Sequence, residues 1–247
     1  MSIKLITIDF WNTLFDSSGG LERNKLRLKI LIEETDKLGY FINQEDLNEV
    51  IQSSWDYFNS IWFDEQRTPS SFELIEFIWK KFNFQYNHKV IQNIANKYST
   101  TILKIPPKPV QNAVNILHQL KQKYKLAIIS DTGYSPGKVL RELLKKENIL
   151  DIFDSFSFSD ETGFSKPHPK AFQKIFDDLN IEPKDALHIG DIERTDIVGA
   201  KQLQMKAIRF SGDTQSFIPK DNPDITIADA EVFDWNDIPE IIEKIDS

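Results

Sequence analysis

The stretch ITIDFWNTL near the start of the chain sets one carboxylate, Asp9, directly behind an alternating apolar run. KLAIIS ends on Ser130 and is followed by Asp131, Thr132 and Gly133. ALHIG is followed by Asp191, with Asp196 five residues further on, and the loop GFSKPHP holds Lys166 between Gly163 and two prolines. These residue types suit one kind of chemistry. A carboxylate can serve as a nucleophile, and other carboxylates can hold a hard cation through oxygen. A lysine and a hydroxyl can bind a transferring phosphoryl group, whose catalysis is mainly positioning and charge stabilisation. Each residue alone also has a plain structural reading. Asp9 and Ser130 could start turns, Lys166 could be a solvated loop lysine, and Asp191 and Asp196 could cap a helix.

The elements around them decide whether they meet. Ile3, Leu5, Ile6 and Ile8 predict a buried parallel strand, and this first strand is expected to end near Leu14. Residues from about 20 to 103 read as helices: LERNKLRLKILIEETDKLG, QEDLNEVIQSSWDYFNSIWF, SFELIEFIWKKF and HKVIQNIANKYSTTIL. Their apolar positions recur three and four apart, punctuated by Gly39, Pro69 and NFQYN. PPKP at 106–109 is a stiff connector.

Beyond it the pattern alternates. Helices are expected over VQNAVNILHQLKQK, PGKVLRELLKK, PKAFQKIFDDLN and DIVGAKQLQ, and strands over KLAIIS, FDSFSFS, ALHIG, KAIRFS and DITIA. This predicts an α/β fold, a doubly wound parallel sheet interrupted by an all-helical insertion. The expected division is a core of 1–15 and 105–247 and an inserted helical domain of 16–104. In a parallel sheet all strand exits share one edge, so Asp9, Ser130, Lys166 and Asp191 could converge on one crevice.

Composition narrows the class. The 247 residues can bury a large core, and 40% hydrophobic with 28% charged residues describes an ordinary globular protein. A formal net charge of −8 has the wrong sign for a nucleic-acid surface or an anionic membrane. With no cysteine, thiolate nucleophiles, disulfides and Cys-based zinc sites are excluded. No apolar window is long enough to span a membrane and no signal-type segment opens the chain, so the cytoplasm is the expected location. The four histidines are too scattered for a metal pattern, and only His168, near Lys166, is placed to touch substrate. Residues 15–103 hold 15 of the 29 aromatics, which reads mainly as the core of a small helical domain.

Taken in order, ITIDFWNTL, LAIISDTG, SKPHP and HIGDIERTD resemble the four motifs of the haloacid dehalogenase (HAD) superfamily over essentially the whole chain. The helical insertion resembles the mobile cap that one subclass carries between its first two motifs. The resemblance implies a Rossmann-like core and an Mg2+-dependent phosphohydrolase acting on a small phosphorylated molecule; the net charge and the lack of an apolar span argue against a nucleic-acid or membrane partner. Asp9 would be the nucleophile that forms an aspartyl-phosphate. Ser130 and Lys166 would hold the phosphate, with Asp131 among the substrate-binding residues and Lys166 also restraining Asp9. Asp9, Asp191 and the main-chain carbonyl of Trp11 would bind the metal, and Asp196 would act on it from further out or through water. The sequence fixes neither the substrate nor the oligomeric state.

One position departs from the pattern. Most phosphatases of the superfamily carry an acid two residues after the nucleophile, to protonate the leaving group and then activate water. Here that position is Trp11. A substitute could come from the helical insertion, where Lys25, Lys29 and Lys37 are available, from another loop, or from the substrate. Two rival readings remain. The 2-haloacid dehalogenase branch also carries an aromatic at this position, but it needs no metal and has neutral residues in the fourth motif. A non-catalytic phosphate- or partner-binding protein would explain the missing acid but not the retained Lys166, Asp191 and Asp196.

Overall fold

The computed structural model describes residues 2–213 and 225–246. Among the described residues six parallel strands form one sheet: β1 (Leu5–Ile8), β2 (Lys125–Ser130), β3 (Ser155–Phe158), β4 (Ala186–Gly190), β5 (Lys206–Phe210) and β6 (Ala230–Val232). Their order is β3-β2-β1-β4-β5-β6. The chain winds outward in one direction from β1 to β3, then returns to start again at β4. The switch point therefore falls between β1 and β4, where the loops diverge and leave a crevice at the strands' carboxyl ends.

Alternation along the strands sorts side chains to two faces. Ile6, Ile8, Leu126, Ile128, Leu187, Ile189 and Ile208 join one core cluster. Helices α6 (Ala113–Lys121), α7 (Gly137–Lys146) and α11 (Ile238–Asp246) supply its other wall. Leu5, Ala127, Ile129, Ala186 and Ala207 face the opposite side, against Phe172 and Ile175 of α9 (Pro169–Leu179) and Ala200 of α10 (Val198–Gln202). Short residues on this second face let α9 approach closely. Thr7 and His188, paired across β1 and β4, continue it towards the site.

Between β1 and β2 lie α1 (Gly20–Asp36), α2 (Gln44–Asp64), α3 (Ser71–Lys81), α4 (His88–Ser99) and α5 (Thr101–Lys104). The first four bury their own cluster, built on Leu31, Leu47, Ile75, Trp79, Ile91 and Ile94. Ser70 and Glu73 make a reciprocal capping box at the start of α3. The strands leading into and out of this helical group run side by side: the Asp16 N–H donates to the Lys108 carbonyl at 2.9 Å and the Val110 N–H to the Leu14 carbonyl at 2.9 Å. The segment around PPKP is thus one half of a paired two-strand connection, not a lone spacer.

Several expected boundaries shift. The first strand ends at Ile8, not near Leu14, because the N–H groups of Leu14 and Phe15 both turn back to the Phe10 carbonyl. The helix expected over 88–103 breaks at Thr100, whose hydroxyl bonds back to the Asn96 and Lys97 carbonyls at 3.2 Å each. DIVGAKQLQ divides into a π-type turn (Glu193–Ile197) and α10. No strand forms at 225–228 of DITIA, and Asp224 lies outside the described residues. The Ile227 N–H goes instead to the Glu193 carboxylate at 2.8 Å, and the edge strand is β6, where Glu231 meets the Arg209 guanidinium. Among the described residues no helix is long and apolar enough to cross a membrane.

Candidate active site

Asp9 follows β1 directly, and its N–H is fixed by the Ile189 carbonyl of β4 at 2.9 Å. The loop behind it is held rigidly. Asn12 takes the left-handed conformation (φ 58°), which Asn tolerates better than most residues, and Trp235 Nε1 donates to the Thr13 carbonyl at 2.9 Å. The Lys166 ammonium reaches in from the loop before α9. It donates to Asp9 Oδ1, to Asp196 Oδ1 at 2.7 Å and to the Ile129 carbonyl at 3.1 Å. All three ammonium protons therefore have acceptors. Asp9, Lys166 and Asp196 are 5%, 2% and 1% exposed, so this ionic cluster sits almost wholly out of water.

Its charges are set by burial against pairing. Burial pushes the Asp9 carboxyl up to about 7, opposed by the Lys166 ammonium and reinforced by Asp196. Burial would favour a neutral Lys166 amine, but Asp196, Asp9 and Asp131 together outweigh it and hold the lysine well above its ordinary value. Asp196 is buried too, yet Lys166 and His188 hold it well below the usual carboxylate range. Both Asp196 oxygens are committed: Oδ1 to Lys166 and to His188 Nε2 at 2.9 Å, Oδ2 to the Ile192 N–H at 3.1 Å and the Thr195 hydroxyl at 3.2 Å. Asp196 meets the site through Lys166 and offers no spare oxygen.

Gly190 makes this possible. A Cβ there would lie 2.3 Å from Asp196 Cγ, well inside contact distance. Gly190→Ala must therefore push Asp196 off Lys166, an overpacking expected to cost about 1–3 kcal/mol. A lower melting temperature together with impaired turnover checks this. A fully active variant with unchanged melting would mean that the Asp196 carboxylate is not needed where it stands.

Asp131 lies on the other side of the cluster. Its Oδ1 accepts the Lys166 N–H and its Oδ2 accepts Trp62 Nε1, each at 2.9 Å, which ties α2 to the loop carrying the lysine. Burial raises its carboxyl to about 6 against the pull of Lys166 and these two donors.

A cavity of about 330 Å³ opens over these residues, with Asp9, Trp11, Asp131, Lys166, Asp191 and Asp196 all in its lining. Helices α1 and α2 contribute to the lining, α1 through Leu21, Arg23, Asn24 and Arg27 and α2 through Trp55, Phe58 and Trp62. Six of the seven residues singled out from the sequence are thus gathered at one crevice. Ser130, the seventh, ends β2 but does not line the cavity, and its buried hydroxyl has no hydrogen-bond partner among the described residues. His168 is elsewhere, capping α9 with Nδ1 accepting the Lys170 N–H at 3.1 Å. None of Lys25, Lys29 and Lys37 lines the cavity, in keeping with their exposed helix positions. Arg194 stacks 3.5 Å over the Phe63 ring and so joins the loop after β4 to α2.

Sequence reasoning overlooked three participants. In the sequence His188 reads only as a residue inside the strand ALHIG, yet its Nδ1 pairs with the Thr7 hydroxyl at 2.8 Å and its Nε2 with Asp196. Burial lowers its basicity, so the neutral ring fits, with the Nε2 proton pointed at the carboxylate. A polar residue on the face of β4 that packs against α9 was the available signal. Arg23 and Arg27, one turn apart on α1, also line the cavity.

For a hard cation the available donors are oxygens. Asp9 and Asp191 follow neighbouring strands at the switch point, with the main-chain carbonyl of Trp11 in the same loop as Asp9. Among the described residues no group of three or more His, Asp or Glu side chains is set at metal-binding spacing. Two carboxylates and a carbonyl nevertheless suit Mg2+, which keeps several waters and completes its shell with substrate phosphate.

A switch-point crevice with a carboxylate–lysine–carboxylate cluster under a helical lid defines a Rossmann-like hydrolase. Residues 31–210 match the family model for haloacid dehalogenase-like hydrolases, and the chain belongs to that family. The glyceraldehyde 3-phosphate phosphatase of Pyrococcus furiosus is 28% identical over 209 residues, 84% of this chain and 80% of that protein. Among solved structures, the 2-haloacid dehalogenase of Pseudomonas syringae pv. tomato aligns with a TM-score of 0.70 at 20% identity, covering 98% of this chain and 99% of that one. YfnB of Bacillus subtilis, solved bound to magnesium, aligns at 0.64 with 14% identity, over 98% and 99%. These two structural likenesses bear on the fold alone.

Proposed function

We propose that the protein is a cytoplasmic, Mg2+-dependent phosphohydrolase that acts on a small phosphorylated metabolite through an aspartyl-phosphate on Asp9. Residues 16–104 act as a cap over a core formed by 1–15 and 105–247. The observation that carries the reading is that Asp9 and Asp191 line one cavity together with Asp196. Lys166 neutralises only part of that negative charge, and like carboxylates at close quarters favour a further cation. A dehalogenase has no use for one. The phosphatase name of the Pyrococcus relative supports the same choice.

In this reading Asp9 attacks the phosphorus, the bond to the leaving oxygen breaks, and water later cleaves the aspartyl-phosphate to release phosphate. Asp9, Asp191 and the Trp11 carbonyl would hold Mg2+, which would neutralise charge on the phosphoryl oxygens. Lys166 keeps Asp9 oriented and offsets its charge. Asp196, itself anchored by His188, keeps Lys166 charged and in place.

Trp11 occupies the position where a proton donor would stand, and its indole packs edge-on to Phe10 with ring centroids 5.1 Å apart. The transfer to Asp9, read as kcat/KM, should then depend steeply on leaving-group pKa. Acyl and nitrophenyl phosphates are expected to outrun alkyl phosphates by about 10²–10⁴-fold, the usual worth of general acid–base help. Equal rates on both classes, with chemistry rate-limiting, would place a working acid elsewhere in the cavity. The test of the function itself is phosphate release across a panel of phosphometabolites with Mg2+ and with EDTA, alongside 2-chloropropionate. Metal-dependent phosphate release is the expected result. Chloride release that survives EDTA would establish the dehalogenase instead.

A further inference from the structure

Arg27 stands in the wall of the cavity that holds Asp9 and Lys166. Its guanidinium lies 4.6 Å over the Tyr134 ring, and one N–H donates to Asn24 Oδ1 at 3.1 Å. Its Nε is buried without a hydrogen-bond partner, and no carboxylate among the described residues pairs with it. Arg23, one turn earlier, is different. Its Nη1 is spent on the Ser18 and Ile105 carbonyls at 2.7 and 3.0 Å, where it straps together the two linkers between core and cap.

A guanidinium carries five donors in a fixed fork, matched to carboxylate and phosphate oxygens. Arg27 is half-buried, and its Nε is a donor cut off from water with nothing to receive its proton, which is costly unless something answers it. Burial lowers its pKa to about 10, so it remains a cation at neutral pH. Lys166, in the same lining, is already balanced by Asp9 and Asp196. Trp55, Phe58 and Trp62 line the wall formed by α2. The cavity therefore offers a phosphoryl site at Asp9 and Lys166, apolar walls and a cation with no carboxylate partner among the described residues.

We propose that Arg27 is the subsite for a second oxyanion on the substrate, a carboxylate or a second phosphate, joined to the transferring phosphoryl group by a short apolar spacer. The assignment rests on the phosphohydrolase reading of the same cavity and adds a substrate class to it. Stacking on Tyr134 alone would be a packing role, and a methionine of similar length would largely replace it.

The test is calorimetric binding of non-hydrolysable phosphonates in the presence of Mg2+, which needs no turnover. Phosphonoacetate is compared with ethylphosphonate, and 3-phosphonopropionate with propylphosphonate, so that each pair differs chiefly in the second anion. Methylenediphosphonate supplies the second-phosphate case. The wild-type protein should bind at least one doubly anionic ligand about 10- to 100-fold more tightly than its singly anionic counterpart, the range for a charge-assisted hydrogen bond. A larger gain with the carboxylates assigns the subsite to a carboxylate, and a larger gain with the diphosphonate to a second phosphate. Arg27→Met should erase the preference and Arg27→Lys keep part of it, with circular dichroism confirming the fold of each. No preference in the wild type, no binding of any phosphonate, or a preference that survives in Arg27→Met overturns the proposal. A wild type that shows the preference yet hydrolyses no phosphoester would refute the phosphohydrolase reading and leave the anion subsite standing.

Discussion

Asp9→Asn is expected to abolish phosphate release, a fall of roughly four orders of magnitude or more, because it removes the nucleophile at constant volume. The fold should survive. Burial raises the Asp9 carboxyl to about 7, so its ionised form is held at a cost that a neutral amide does not carry. The Lys166 ammonium keeps Asp196 and the Ile129 carbonyl as partners in the variant. The melting temperature is therefore expected at or above that of the wild type. Steady-state phosphate release and a thermal melt on the same preparation check both halves. Near-wild-type turnover in the variant would rule out covalent catalysis through Asp9.

Lys166→Met is expected to damage both properties. It leaves Asp9 and Asp196 buried together with no cation between them, and breaking a buried charge pair from one side typically costs about 3–5 kcal/mol. For a chain of this size that lowers the melting temperature on the order of 10 °C. Phosphate release should fall to background as Asp9 loses the group that orients it. The two residues are also coupled. Adding Asp9→Asn to Lys166→Met should recover part of the lost stability, since one stranded carboxylate is gone, while activity stays absent. Strictly additive melting changes would show that Asp9 and Lys166 do not share one ionic cluster.

The parallel sheet and four of its strand exits were legible in the sequence because short β-branched runs broken by helical periodicity have few other solutions. KLAIIS and ALHIG coincide with β2 and β4 to the residue. The last strand was not legible. DITIA has a strand-like pattern, but the Thr226 hydroxyl and Ile227 N–H are taken by the buried Glu193 carboxylate, a partner more than thirty residues away in the chain. The residues of the cluster were found because each is a charged or polar side chain at a strand exit or in the loop or turn that follows one. Their mutual arrangement was not, since it depends on the bare backbone of Gly190 and on His188, which looked like an ordinary strand residue. Ser130 shows the reverse limit: its position at the end of β2 was read correctly, while its side chain lies outside the cavity lining. Arg27 carried no motif at all. Only the helix packing that sets α1 over the sheet edge brings it to the same cavity as Asp9.

The most direct measurement is acid quenching during turnover of nitrophenyl phosphate, followed by peptide mapping by mass spectrometry. With Trp11 where a base would stand, water attack on the aspartyl-phosphate is the slow step, so the intermediate accumulates. The expected result is one phosphoryl group on the peptide that carries Asp9, removed by hydroxylamine, absent from Asp9→Asn, and matched by a nitrophenolate burst close to one per enzyme. Phosphate release that proceeds at the full steady rate with no phosphoryl group on that peptide and no burst would contradict the account.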